Sequence, residues 1–256
     1  MTIADRTRKD PEDLSGLSEL DPNDLFWLSV GSAMYLRAGA DARIFEPIRR
    51  LTGLRILSLS STGVTDEGLE YLRSLHSLRA LELTQSSIGN RGLAVLMDLP
   101  ALEYLELNTG VTDAGLKHMG QHPNLRWLSV VTGNIGGPGL AELANLPRLE
   151  RLCIWGSSPI SDRHIKYLEG VTQLKGLTLR SSGCDTLTDA SLASIANLKN
   201  LEELHFIRTN PRFTPEGVAR LKDLKNLKKL DFAQTWVGSE GMRYGDVLTH
   251  QLAADL

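Results

Sequence analysis

One spacing of leucines recurs along most of this chain and constrains its fold more than any other feature. The motif Leu-x-x-Leu-x-Leu, in which another apolar residue sometimes replaces a leucine, returns seven times at intervals of 24, 24, 23, 24, 25, 27 and 26 residues. A period of this length indicates stacked repeats, each too small to bury a core alone. The eight copies start at Leu54, Leu78, Leu102, Leu125, Leu149, Leu174, Leu201 and Leu227.

A second motif keeps phase with the first and predicts a short helix in each repeat. The phrase Val-Thr-Asp-x-Gly-Leu begins at Val64 and at Val111, and a variant of it begins at Leu187. Threonine before aspartate is typical of a helix start, because the hydroxyl can cap backbone N–H groups and the carboxylate suits the positive end of the helix dipole. Glycine precedes the first apolar helical residue in six of the eight copies, which indicates a close approach to the neighbouring repeat. These are Gly68, Gly92, Gly115, Gly139, Gly217 and Gly241.

The alternation of period two within each leucine motif predicts a short strand. Each repeat then consists of a strand, a turn, a helix and a return, with the apolar core built mainly from the 46 leucines among the 256 residues. We therefore predict an α/β fold: a solenoid curved like a horseshoe, with parallel β-strands on the concave face and short helices on the convex face.

With both motifs in phase, residues 54–242 of the chain resemble the leucine-rich repeat family. The phrase at Val64 is most similar to the ribonuclease-inhibitor-like and cysteine-containing subclasses, including bacterial arrays of the same phrase. The chain lacks the characteristic cysteine of the latter subclass. Hydroxyl residues replace the familiar asparagine after the strand, and we expect them to bond to adjacent backbone. They are Thr62, Ser86, Ser157, Ser182, Thr209 and Thr235.

Four segments follow from this organisation. Residues 1–20 are expected to be a flexible N-terminal tail and 21–53 a degenerate capping repeat. Residues 54–242 hold eight leucine-rich repeats of 23–27 residues, and 243–256 form a C-terminal cap. Caps are expected because a solenoid otherwise exposes its core at both ends. The N-terminus has no apolar stretch suited to a signal peptide, and only two cysteines occur, so we expect a cytoplasmic protein.

Charge and motif content argue against several classes of function. The net charge of −3 is not that of a strongly basic nucleic-acid or membrane-surface binder. Phosphate loops, dinucleotide fingerprints and nucleophile elbows are absent from the sequence, so no cofactor is expected. Cys153 and His205 share a strand position two repeats apart, about 10 Å, which is too far for one to activate the other. His118 and His122 are interpreted as a surface pair rather than as metal ligands.

The exposed strand positions carry the binding information, because the leucines fill the core. The first repeats present small and hydroxyl residues there, whereas the later ones present aromatic and arginine side chains, which often dominate binding. The loops after the strands of repeats five to seven are also longer, and insertions in repeat arrays often gather on the binding side. The predicted partner-binding residues are Tyr104, Trp127, Arg151, Trp155, Arg180, His205, Ile207, Arg208 and Arg212.

These observations favour a non-enzymatic recognition module, with no metal, that binds a protein or peptide partner on its concave strand face. Nucleic acid and membrane are not expected as partners, and we expect a monomer, with a homodimer as the alternative. A structural interpretation of the same residues stays open, in which the aromatics shield the strands and the arginines pair with Glu106 or Asp231. Two other functions also stay open. One is a substrate-recognition adaptor of a ubiquitin ligase, although residues 1–53 show no F-box, and the other is an antitoxin-like inhibitor that blocks a partner enzyme.

Overall fold

A computed structural model describes residues 14–23, 25–30, 42–107, 110–156, 159–181, 186–209 and 211–232. Within these ranges nine strands form one parallel sheet, in which each strand pairs with those of the adjacent repeats. The helix expected in the eighth repeat and the C-terminal cap at 243–256 lie outside the described residues. So do Ser157, Ser182 and Thr235 among the expected corner hydroxyls.

The strands coincide with the leucine motifs. The second leucine of each motif is the middle of a three-residue strand or the second residue of a longer one, and its neighbours on either side point to the opposite face. Leu102, Leu105 and Leu107 illustrate the result, since all three are buried. The strands are β1 (Trp27–Ser29), β2 (Ile56–Ser58), β3 (Ala80–Glu82), β4 (Tyr104–Glu106), β5 (Trp127–Val131), β6 (Arg151–Trp155), β7 (Gly176–Arg180), β8 (Glu203–Ile207) and β9 (Lys229–Asp231).

A short helix follows most strands and packs its apolar residues onto the leucine core. The α-helices are α1 (Asp66–Leu69), α2 (Asn90–Leu96), α3 (Asp113–Met119), α4 (Pro138–Ala141), α5 (Asp162–Lys166), α6 (Asp189–Ile195) and α7 (Pro215–Ala219). The 3-10 helices are Ser15–Glu19, Ala42–Arg50, Glu70–Leu72, Thr132–Asn134, Glu142–Asn145 and Arg220–Asp223. In the described ranges no helix is both long enough and apolar enough to cross a membrane.

The first residue of several helices binds the following repeat, a role that the motif alone did not reveal. The carboxylate of Asp66 accepts a hydrogen bond from Gly89 N at 2.7 Å, and that of Asp189 accepts from Thr214 N at 2.9 Å. Asn90 does the same for Thr112 N at 3.0 Å. We call the five residues that tie one repeat to the next in this way the aspartate ladder: Asp66, Asn90, Asp113, Asp162 and Asp189. The expected capping by hydroxyls occurs at Thr188 and Thr214, which accept from N–H groups of their own helices. It does not occur at Thr65 and Thr112, whose side chains accept no hydrogen bond from the helix that follows.

The ladder explains most of the repeated glycines. A Cβ on Gly92 would lie 2.5 Å from Oδ1 of Asp66, and one on Gly139 would lie 2.8 Å from Oδ1 of Asp113. A side chain at these positions would therefore displace the carboxylate of the preceding repeat. This confirms the predicted close approach between repeats. In the sixth repeat Ser191 stands at the glycine position, and its hydroxyl donates to Asp162.

The ladder is interrupted between the fourth and fifth repeats. Gly137, with φ +121°, stands where five other repeats carry an aspartate or asparagine. The fifth repeat compensates with His164, which occupies its glycine position. Nδ1 of His164 accepts from Ser161 N at 3.2 Å, and Nε2 donates to the carbonyl of Ile135 in the fourth repeat at 3.2 Å. The ring of Tyr167 fills the space beside Gly137.

The N-terminal segment differs from the expectation of a tail over residues 1–20. Ser15–Glu19 form a 3-10 helix, and Leu17 is buried in the same core as the repeats. Leu17 is apolar and packs this short helix on the core, so residues 14–20 do not form the expected tail, whereas residues 1–13 lie outside the described residues. Within the expected capping repeat, β1 pairs with β2 in register, with Leu28 opposite Leu57.

Candidate binding surface on the strand face

The parallel register arranges the exposed strand residues in columns that run across the sheet. We number the columns along the strand. The first column is Trp27, Ile56, Ala80, Tyr104, Trp127, Arg151, Gly176, Glu203 and Lys229. The second column is Ser29, Ser58, Glu82, Glu106, Ser129, Cys153, Thr178, His205 and Asp231. The third column is Val131, Trp155, Arg180 and Ile207.

The rings of Tyr104 and Trp127 stack face to face in the first column. Their centroids are 4.0 Å apart and the ring planes differ by 8°. The Tyr104 hydroxyl donates a hydrogen bond to Glu106 at 2.5 Å. Burial, this hydrogen bond and the negative charges of Glu106 and Glu82 all raise the pKa of the Tyr104 phenol. The two stacked rings therefore form a neutral aromatic surface of fixed orientation on the strand face.

Arg151 reaches across β7 and binds Glu203 two strands away. Its guanidinium donates to both carboxylate oxygens, at 2.7 and 3.1 Å. Gly176 lies between them, and a Cβ there would come within 3.1 Å of Nη1 of Arg151. The hydrogen bond from Arg151 lowers the pKa of Glu203. The structural interpretation, in which the arginines pair with Glu106 or Asp231, is therefore wrong about the partner of Arg151, which is Glu203.

The third column holds a second contact between predicted binding residues. The guanidinium of Arg180 lies 4.1 Å from the centroid of the Trp155 ring, in the geometry of a cation–π interaction. Trp155 is still 39% exposed. Ile207 follows Arg180 in the same column. Arg208, with φ 54°, and Arg212 lie beyond the strand, in the loop that leads to α7, and both are exposed.

His205 and Cys153 do not form a catalytic pair. Thr178 separates them in the second column, as the sequence predicted. The imidazole of His205 lies 3.7 Å from Glu203 and 3.5 Å from Asp231. Burial raises the pKa of the Cys153 thiol to about 11, so the thiol stays protonated near neutral pH and is a poor nucleophile.

The interpretation of His118 and His122 as a surface pair is wrong for His122. The α3 helix ends at Met119, and the chain then turns His122 into the interior, where it is fully buried. Its Nε2 donates to the carbonyl of Leu99 at 3.1 Å, and its Nδ1 has no partner among the described residues. Burial lowers the pKa of His122, so the ring is neutral. Over the described ranges no three histidine, cysteine or carboxylate side chains are grouped to hold a metal ion.

Two exposed residues of the first column were missed by the sequence analysis, which described the early repeats as small and hydroxylic. Trp27 is 39% exposed and Ile56 is 37% exposed, and they are paired in register on β1 and β2. The signal was present, because both share the strand position of Tyr104 and Trp127. An exposed apolar row thus begins earlier in the array than the predicted residues indicate.

The edge where the strands begin carries a groove of about 730 Å³. Charged side chains of successive repeats pair along it: Glu150 binds Arg126 at 2.7 Å and Lys175 at 3.0 Å, and Glu202 binds Lys228 at 2.8 Å. The charges of these exposed residues alternate in sign from one repeat to the next, and each is neutralised by its partner. We therefore interpret this edge as a contact between repeats and place the candidate site on the strand face.

Comparisons with known proteins agree with this architecture. A family model described as a leucine-rich repeat region matches residues 38–241. The solved structure of internalin F from Listeria monocytogenes is similar, with 24% sequence identity and a TM-score of 0.59 over 89% of this chain. The chain spans 59% of that structure's length. Internalin C2 from the same organism is 25% identical, with a TM-score of 0.52 over 75% of this chain and 76% of its own. No curated protein gives a significant match. These findings confirm the predicted fold.

Proposed function

Because this chain belongs to the leucine-rich repeat family, we propose that it is a non-enzymatic module that binds a protein or peptide partner on its concave strand face. The family is typically non-catalytic, and its repeats generally mediate protein–protein interactions. One observation carries the proposal: the strand face displays large apolar side chains that are partly exposed to solvent, four in the first column and one in the third. They are Trp27, Ile56, Tyr104, Trp127 and Trp155.

Three of these side chains, Tyr104, Trp127 and Trp155, are already held in place before a partner arrives. Each lies on a strand paired with its neighbours, and the Tyr104–Trp127 stack and the contact of Arg180 with Trp155 restrict the rings further. Binding therefore orders few side chains, which leaves more of the contact energy for affinity. Aromatic and arginine residues are also the types that most often dominate interfaces. The nine predicted binding residues stay a prediction, to which the exposure of Trp27 and Ile56 adds two positions.

The separation of Cys153 from His205 and the raised pKa of the thiol support a function without catalysis. The adaptor and inhibitor alternatives would use the same face and differ in what happens to the partner after binding. An activity assay of the captured partner separates them, because an inhibitor abolishes that activity and a recruiting module does not. The cytoplasmic location and the monomeric state stay predictions.

Affinity capture from a lysate of the native cell, read by mass spectrometry, tests the proposal. The wild type is compared with a Trp127→Ala/Trp155→Ala variant and with a Lys117→Ala/His118→Ala control, whose residues are exposed on α3. All three must give the same circular dichroism spectrum. We expect a partner that the wild type and the control capture and the double tryptophan variant loses. A partner retained by all three would move the site away from the strand face.

A further inference from the structure

The two halves of the strand face differ in how their charges are paired. On β6–β9, Arg151 is bound to Glu203, Arg180 lies over Trp155, and His205 faces Asp231. On β1–β5, the first and second columns contain two charged residues, Glu82 and Glu106. Neither forms an ion pair with any described residue, in contrast to Arg151 and Glu203 on the other half.

Glu82 and Glu106 lie side by side. They are register partners on the neighbouring strands β3 and β4, with Ser58 and Ser129 on either side of the pair. Adjacent strands are about 4.8 Å apart, so a single cation can contact both carboxylates. Glu106 is oriented by the hydrogen bond from the Tyr104 hydroxyl. This part of the face is therefore negative and partly fixed.

An apolar gap adjoins the two carboxylates. In the first column the small residue Ala80 lies between Ile56 and Tyr104, which are two strand spacings, or about 10 Å, apart. Because the side chain of Ala80 is only a methyl group, it leaves a space between the side chain of Ile56 and the Tyr104–Trp127 stack. Glu82, two residues after Ala80 on the same strand, lies beside this space in the second column. We call it the Ala80 gap.

We propose that the Ala80 gap receives a lysine or arginine side chain of the protein partner, next to an apolar partner residue that packs on Trp27 and Ile56. This inference rests on the proposed function and specifies the chemistry of the partner. The alkyl stem of a long basic side chain covers the apolar walls, and its charged head reaches Glu82 and Glu106. A charge-assisted hydrogen bond to a carboxylate is stronger than a neutral one, so the pair favours a basic over an apolar or acidic occupant.

A random peptide library displayed on phage, selected on the immobilised full chain, tests the proposal. We expect enriched peptides that carry a lysine or arginine beside an aromatic or aliphatic residue. A labelled synthetic copy of the most enriched peptide is then titrated by fluorescence anisotropy. Glu82→Gln/Glu106→Gln keeps the size of both side chains and an acceptor for Tyr104, and we expect it to weaken binding about ten-fold. The control, Glu67→Gln/Glu216→Gln, loses the same charge from exposed positions of α1 and α7 and should bind as the wild type does.

The outcomes separate the two proposals. Peptides without basic residues, or equal affinity for Glu82→Gln/Glu106→Gln, would overturn the assignment of the Ala80 gap. If such peptides were still lost by the Trp127→Ala/Trp155→Ala variant, the strand face would remain the binding surface. Peptides that bind the Trp127→Ala/Trp155→Ala variant as well as the wild type would count against both the strand face and the Ala80 gap as binding sites. A selection that enriches no peptide over the starting library would do the same.

Discussion

The imidazole Nδ1 of His164 accepts the hydrogen bond that the backbone N–H of Ser161 donates, at 3.2 Å. In several other repeats the equivalent N–H donates to the aspartate ladder of the preceding repeat, as Thr188 N does to Asp162 at 2.8 Å. Gly137 offers no side-chain acceptor at that junction. The fifth repeat therefore supplies its own acceptor from the position where most repeats carry glycine.

We expect His164→Ala to lower the free energy of unfolding by about 1 kcal/mol, because Ser161 N–H and the carbonyl of Ile135 both lose a partner. Urea unfolding followed by circular dichroism measures the change. His118→Ala removes an exposed imidazole from α3 and should change the same quantity by less than about 0.5 kcal/mol. Equal effects of the two substitutions would show that the imidazole of His164 does not support the junction.

Asp113 is the member of the ladder with the most backbone donors. Its carboxylate accepts from Gly136 N at 3.0 Å, Gly137 N at 3.3 Å and Gly139 N at 2.8 Å. We expect Asp113→Ala to cost about 2 kcal/mol of unfolding free energy, since these N–H groups lose their acceptor where the next helix begins. Asp113→Asn keeps one oxygen, as Asn90 does in the second repeat, and should cost less. If both variants matched the wild type in urea, the ladder would not tie these repeats together.

His122 predicts how stability depends on mild acid. Its pKa is below the ordinary value of 6.5 because the ring is buried, so the unfolded chain binds a proton more readily than the folded one. The stability that comes from keeping the ring neutral is fully present above pH 6.5 and is lost as the pH falls below it. The slope is at most about 1.4 kcal/mol per pH unit.

Urea unfolding between pH 7.5 and about 5.5, a range above most carboxylate titration, measures this slope. We expect His122→Gln, which keeps a donor for the carbonyl of Leu99 and does not titrate, to flatten the profile. His118→Gln removes an exposed histidine and should keep the wild-type slope. A profile that His122→Gln leaves unchanged would assign the pH dependence to another group.

The bond between Arg151 and Glu203 is expected to contribute little to stability. Their side chains are 49% and 33% exposed, and exposed ion pairs are screened by solvent. A double-mutant cycle with Arg151→Ala and Glu203→Ala should give a coupling of about 0.5–1 kcal/mol. Gly176→Ala should reduce that coupling, because the new methyl group would lie 3.1 Å from Nη1 of Arg151 and the guanidinium would have to shift. A coupling that Gly176→Ala leaves unchanged would mean that the arginine does not cross β7 as described.

The leucine period predicted the fold because it reports burial directly. A buried face repeated every 23–27 residues leaves few arrangements other than parallel strands backed by helices, and the register followed once Leu57, Leu81 and Leu105 were aligned. The same reasoning was wrong for His122, because a polar residue after a helix is usually exposed. It also missed Leu17, which lies in a segment without the repeat pattern.

The candidate site was predicted less completely, because partners across strands depend on side-chain direction as well as on column. The side chain of Arg151 crosses β7 and reaches Glu203 on β8. The sequence signal for this contact was Gly176, which has no side chain to block the guanidinium, and not an acidic residue on the adjacent strand. The motif Thr-Asp-x-Gly likewise indicated a helix start correctly. That its aspartate serves the next helix depends on the distance between repeats, which the motif does not contain.

The bond from Arg151 to Glu203 also bears on curvature. It spans two strand spacings on the inner side of the horseshoe, so opening the sheet at β6–β8 would stretch it, and we expect this half of the array to resist flattening. Among the described residues, no side-chain bond of this kind crosses the first column of β2–β4, where Ile56, Ala80 and Tyr104 lie. A change in the radius of the array to fit a partner would then cost least near Glu82 and Glu106, which form no ion pair with a described residue.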